Sequence, residues 1–223
     1  MQPVKKLLLL AAFLFVSSSA KAAFVQGIAS AGTLGLTQTC TFSGSVTIGD
    51  LLIVVTKTNG PNVNTVADTL STSWTIDQAG NSATTGYYHG TALSSGSDTI
   101  TITLASSQAA IADCLEYSGT ATLDVFATSG TANVASQNIT TTQAVTTIVG
   151  AVGDGTPLTI SAPFTTRVTG TMLTTPNGLL VVGDVNETST GTYTITPSAS
   201  SKIAIASFAA ATVISSRHRL IGN

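Results

Sequence analysis

The stretch DTITITL, residues 98–104, limits the folds open to this chain more than any other feature. Ile100, Ile102 and Leu104 fall on one face and Thr99, Thr101 and Thr103 on the other, the period of two that marks a half-buried strand. LLIVV (51–55) and GLLVVGDV (178–185) are continuous apolar runs bounded by Gly-Asp or Asn-Gly, as expected of central strands covered on both faces. Past the N-terminal segment no sustained 3.6-residue apolar period occurs, and the abundance of Thr, Val, Ile and Gly disfavours helix. LTQTCTFSG, SWTIDQ, TGYYHGTAL, AIADCLEYSG, AVTTIVGAV, FTTRVTG, GTYTITP and KIAIASFAA supply further expected strands, with turns such as Asn59-Gly60-Pro61 and Ser95-Gly96-Ser97 between them. Many short strands separated by Gly-rich turns predict an all-β fold, an antiparallel β-sandwich that is jelly-roll-like and forms a single domain. The threonine-rich stretch Gln137 to Thr147 is the one composition shift, and it leaves open a division into two smaller sandwiches.

The N-terminus has the layout of a secretory signal peptide. Lys5 and Lys6 precede an apolar run from Leu7 to Val16, followed by an Ala20-Lys21-Ala22 site that places the cut before Ala23. That run has ten residues, half of the roughly 20 a spanning helix requires. The expected organisation is a signal peptide at 1–22, a β-sandwich domain at 23–214 and a basic C-terminal tail at 215–223 carrying Arg217, His218 and Arg219. Secretion or cell-surface display follows, with no transmembrane segment in the mature chain. Three of the eight basic residues, Lys5, Lys6 and Lys21, fall in the leader, so the exported part keeps five bases against ten acids. Phosphate backbones and anionic lipid surfaces require clustered Lys or Arg, so nucleic-acid binding is disfavoured and no polybasic membrane patch exists.

Two cysteines, Cys40 and Cys114, both lie in the exported part. An even pair in strand-like segments of an exported chain predicts a disulfide, with two free buried thiols as the alternative. Zinc is disfavoured, because the chain has only two histidines and no CxxC or HxxxH spacing. No cofactor is predicted. A loop calcium using Asp50, Asp68 or Asp77 with carbonyl oxygens stays open, since such sites need oxygens rather than a motif.

The order GDLLIVV, SWTI before an Ala-Gly-Asn turn, GYYHG, DTITITL, then a strand ending EYSG and followed by LDVFATSGTA, resembles a class of bacterial extracellular β-sandwich modules. The resemblance covers roughly Ala29 to Ala132. It implies a jelly-roll-like sandwich on an exported protein and supplies no catalytic residue.

Glu116 and Asp113 are the acids that invite a catalytic reading. In a strand, Ala112, Cys114 and Glu116 share one face while Ile111, Asp113, Leu115 and Tyr117 share the other. A glycosidase pair of Glu116 with Asp113 is disfavoured, because side chains on opposite faces cannot flank one bond, and a pair of Glu116 with Asp124 is the remaining form of that reading. The structural reading makes Glu116 a carboxylate that fixes the strand end and its turn. A serine triad would have to use His89 or His218, and no G-x-S-x-G elbow is present. Trp74, Tyr88 and His89 are the candidate ligand-binding residues, as an aromatic platform for a sugar, with core filling as the structural alternative for the aromatics. The expected function is therefore that of a non-enzymatic surface, matrix or adhesion component that associates with copies of itself or with surface glycans. A carbohydrate-binding module is the alternative, and a glycan hydrolase the remote one.

Overall fold

The computed structural model describes residues 21–60, 62–81, 84–154, 158–172 and 178–210; residues 1–20 of the expected leader and the expected tail lie outside them. These residues contain fourteen strands and no helix. The strands are β1 (Ala23–Ala29), β2 (Leu34–Thr41), β3 (Leu51–Thr58), β4 (Val63–Asp68), β5 (Ser73–Gln78), β6 (Gly86–Thr91) and β7 (Thr99–Ser118), followed by β8 (Ala121–Thr128), β9 (Gln137–Thr140), β10 (Thr146–Asp154), β11 (Thr165–Thr171), β12 (Leu179–Glu187), β13 (Thr192–Ile195) and β14 (Lys202–Ala210). Every pairing is antiparallel, and the sheets pack face to face as a β-sandwich.

DTITITL and AIADCLEYSG, expected as separate strands, form one strand of 20 residues, β7. Its first half pairs with β2 and β4, and its second half with β1 and β3. Between the halves Ala105, Ser106 and Ser107 are exposed, and the register against β2 jumps from Thr37↔Thr103 to Gly35↔Gln108. The strand bends there and carries the chain from one layer into the next. The central sheet, β1-β7-β3-β6-β5, is consequently covered on both faces.

One face packs on the second large sheet, β11-β12-β10-β14-β8, through Leu51, Ile53, Val55, Tyr87, Leu115 and Tyr117 against Val149, Ala151, Leu180, Val182 and Phe208. The other face presents Leu52, Val54, Tyr88, Ala112 and Cys114 to Cys40, Phe42, Ile100, Ile102 and Leu104 of the outer layer. A third cluster, containing Ile148, Val152, Val181, Ile203 and Ile205, lies behind the second sheet under Ile139, Leu158, Ile160, Phe164 and Ile195. This layering explains why β3 is buried at all eight positions and why LLIVV shows no alternation.

Packing begins before the expected cut. Ala22 is buried in the central core, and its carbonyl accepts a hydrogen bond from the Thr147 hydroxyl at 2.6 Å. At the other end, KIAIASFAA is β14 and lies between β10 and β8.

Cys40 and Cys114 form the expected disulfide, with Cα atoms 6.3 Å apart. It ties β2 in the outer layer to the second half of β7 across the apolar layer between them. The bridged residues are 74 apart in sequence, a separation for which chain-entropy arguments allow roughly 4 kcal/mol as an upper figure. A Cys40→Ala/Cys114→Ala double variant is expected to lose about 2–4 kcal/mol in urea unfolding; an unchanged midpoint and slope would show that the bridge does not restrain the unfolded chain.

Candidate functional site

The hairpin β5–β6 forms the free edge of the central sheet, and its two faces have different fates. Thr75 is paired with His89 and Ser73 with Thr91, so these four residues share the face that also carries Tyr87. Asp77 is the extra residue of a bulge between the pairs Ile76↔Tyr88 and Gln78↔Tyr87. A bulge re-aims its side chain, and here Asp77 Oδ2 lies 2.6 Å from His89 Nδ1. The carboxylate side chain is only 4% exposed and the imidazole 15%. With a carboxylate at that distance, Nδ1 carries the proton and Nε2 is left for another partner. Phe208 meets the imidazole edge-on, at 5.4 Å between ring centroids.

His89 lines a pocket of about 300 Å³ between this edge and β8, together with Ser73, Thr75, Thr91, Leu93 and Thr122. Gly90, Ala121 and Leu123 complete the lining, so four hydroxyl side chains and one imidazole share the pocket with a larger apolar surface. No hydroxyl is hydrogen-bonded to His89 among the described residues, so the Asp–His pair has no bonded nucleophile.

Trp74 and Tyr88 do not join His89. They lie on the opposite face of the hairpin, packed into the outer apolar layer. Tyr88 is 1% exposed, and its hydroxyl accepts the Gly80 N–H at 2.8 Å. Tyr87, on the His89 face, is equally buried and donates to the Val149 carbonyl. Neither tyrosine is an exposed platform, because the central sheet has no bare face. His218 lies outside the described residues.

The carboxylates weighed for a glycosidase pair, Asp113, Glu116 and Asp124, are not hydrogen-bonded to one another and have separate partners or surroundings. Glu116 is fully buried on the outer-layer face, where Oε2 accepts from Gln26 Nε2 at 2.5 Å and Oε1 from the Thr47 N–H at 3.2 Å. Gln26 is itself clamped by both main-chain groups of Gly44, so Glu116 fastens β1 and the segment after β2 to the end of β7. Burial raises its pKa, as does a hydrogen bond with the neighbouring Asp50 carboxyl; the bonds from Gln26 and Thr47 pull the other way. Asp124 lies on β8, where it accepts from the Thr142 N–H and from the Ser207 hydroxyl.

Asp113 projects into the central core and is also fully buried. It fits because residue 170 is glycine: a Cβ there would come within 2.4 Å of Asp113 Oδ1. Neither carboxylate oxygen has a partner in hydrogen-bond geometry. Burial therefore pushes the pKa well above the ordinary carboxyl range, opposed by the nearby Gly170 N–H, and so favours the neutral acid in the folded state. Nearby in the same core, Arg167 Nε donates to Asp184 at 2.8 Å and the guanidinium covers the Phe24 ring.

Comparison with protein-family models, curated proteins and solved structures returned no match.

The buried acids predict a pH dependence. A carboxyl whose pKa is raised on folding contributes stability that is complete below its unfolded pKa of about 4 and is lost as pH rises through the folded value. Asp113 and Glu116 both act in this direction. The urea midpoint should thus fall as pH rises above about 4, and Asp113→Asn should flatten that fall. Equal slopes in wild type and variant would contradict a protonated Asp113.

Proposed function

We propose that this chain is an exported, non-enzymatic β-sandwich that serves as a surface, matrix or adhesion component. The observation that carries this reading is where the titratable groups go. Glu116 clamps three segments, Asp113 sits in the core as a neutral acid, Asp124 holds a loop and Asp184 pairs with Arg167. Catalysis requires several such groups converging on one accessible point; among the described residues His89, held by Asp77, lines a pocket that has no second titratable side chain in its lining. The outer strands carry threonine ladders, as in the hydroxyl contacts Thr41–Thr99 at 3.0 Å and Thr140–Thr192 at 2.8 Å. Low surface charge favours close association of such faces. The leader and the motif order shared with bacterial extracellular modules support export and a cell-surface setting. No helix among the described residues is long and apolar enough to cross a membrane.

One observation favours a second reading, carbohydrate binding: the pocket at His89 is lined by four hydroxyl side chains and one imidazole held in a single tautomer. Its volume, about 300 Å³, falls at the small end of ligand sites. Immobilised chain, a glycan array and a panel of glycoside and ester substrates, each probed with wild type and His89→Ala, separate the readings. The proposal expects concentration-dependent binding to immobilised copies of the chain, unaltered in His89→Ala, with neither glycan binding nor turnover. Saturable glycan binding lost in His89→Ala would replace it with the second reading, and turnover lost in the same variant would contradict both.

A further inference from the structure

Of the three carboxylates open to a loop cation from sequence, the fold commits two elsewhere. Asp50 Oδ1 accepts the Gly119 N–H at 2.8 Å and lies beside the Glu116 carboxyl; Asp77 is bound to His89. Asp68 remains, and the structure sets beside it an acid that the sequence did not single out, Asp98.

Asp68 ends β4 and pairs with Ile100, which brings the loop after β4 against the residue that precedes β7. Both acids grip that loop with one oxygen. Asp98 Oδ1 accepts from the Thr69 N–H at 3.2 Å and from its hydroxyl at 2.9 Å, and Asp68 Oδ1 accepts the Thr72 N–H at 2.8 Å. The second oxygen of each, Asp68 Oδ2 and Asp98 Oδ2, is buried without a partner. So is the Thr72 hydroxyl, on the very residue whose N–H holds Asp68; Asp98 is 0% exposed and Thr72 8%. The Thr72 methyl is the branch that fills the space over Gly90, where a Cβ would come within 2.5 Å of it. Neither carboxylate forms an ion pair among the described residues. Burial, and then the negative charge of Asp68, raise the pKa of Asp98, as expected for two acids that face one another without a base.

Buried charge is stable only when it is paired, protonated or bound to a metal. Asp113 shows the protonated solution, a lone carboxyl among apolar neighbours. The pair at β4 differs: two carboxylate oxygens and a hydroxyl are unpartnered at one loop, whose Thr69 and whose neighbour Ser97 are exposed to solvent. We propose that Asp68, Thr72 and Asp98 form a binding site for a hard divalent cation of the calcium class, completed by loop carbonyls and water. An all-oxygen donor set selects calcium over zinc or copper, and the two carboxylates match its charge. The described residues contain no group of three or more His, Cys, Asp or Glu side chains that could hold a metal ion, so at this pair of acids the hydroxyl, loop carbonyls and water would have to supply the rest of the shell. Bound there, the ion would lock the β4–β5 connection onto the start of β7.

The test uses the purified chain, stripped with EDTA and titrated with calcium chloride by calorimetry and thermal unfolding. Expected is one saturable site with an affinity in the range of about 0.1–1 mM typical of extracellular modules, and a melting temperature that climbs with calcium by mass action. Asp98→Asn and, separately, Thr72→Val should weaken binding about tenfold or more, while His89→Ala should leave it unchanged. Absence of any shift at saturating calcium would overturn the site, as would a shift that both Asp98→Asn and Thr72→Val retain. Stabilisation by acid alone, abolished in Asp98→Asn and insensitive to calcium, would show that the two acids share a proton instead. An equal response to magnesium, which demands a rigid octahedral shell, would overturn the calcium assignment.

Discussion

Both edges of β7 are hydrogen-bonded along both of its halves, and the rest of the structure hangs on that pairing. Four strands, β1, β2, β3 and β4, attach to it directly, and β6 and β5 extend the sheet from β3. Because the strand turns a corner at Ala105–Ser107, its two halves belong to different layers, and the outer layer is folded back over the central sheet by the same chain. The disulfide fastens this fold-back from inside. Long-range pairing of this kind is costly in loop entropy before it gains contacts, and the bridge offsets part of that cost by restricting the unfolded chain.

A sheet covered on both faces leaves little room for chemistry. Alternation sends Asp113 to one core and Glu116 to the other, and each must be neutralised where it lands. Glu116 achieves this with donors from Gln26 and Thr47, whereas neither oxygen of Asp113 has a partner in hydrogen-bond geometry and burial favours its neutral form. Accessible functional groups are confined to the rims, where sheets end and loops begin. The Asp77–His89 pair lies at one rim, and the Asp68–Asp98 pair at the loop where β4 ends.

Much of this architecture was legible in the sequence, and the failures share a cause. Period-two alternation assigned the faces of residues 111–117 correctly, which is why Asp113 and Glu116 were not expected to flank one bond. LLIVV and GLLVVGDV were recognisable as central strands from the absence of alternation. The union of DTITITL with AIADCLEYSG was not legible, since Ala105-Ser106-Ser107 is as suitable for a turn as for a bend in a continuing strand. Partner strands distant in sequence decide between the two. The strands β1, β4, β8 and β9 escaped: β1 begins at the expected leader cut, β4 alternates weakly, β8 interrupts its apolar residues with Asp124, and β9 opens the threonine-rich stretch that suggested a boundary. Burial of both Tyr87 and Tyr88 depends on the number of layers, a non-local property. His89 stood out in the sequence as a ligand candidate and Asp77 only as a carboxylate open to a loop calcium; their pairing was not legible, because a bulge rather than strand periodicity brings the two together.

The central claim is that β7 is one continuous strand shared by two layers and the most secure element of the fold. Native-state hydrogen exchange followed by mass spectrometry tests it most directly. Amides of Ala110 to Tyr117, paired with β1 and β3, should exchange only through global unfolding, with protection equal to the unfolding free energy from urea denaturation. Those of Ile100 to Leu104, paired with β2 and β4, should share that protection while the disulfide is intact, and the edge strand β5 should exchange far sooner. Exchange of residues 100–104 by local opening in the oxidised protein, independent of 110–117, would show two separate strands and contradict the account.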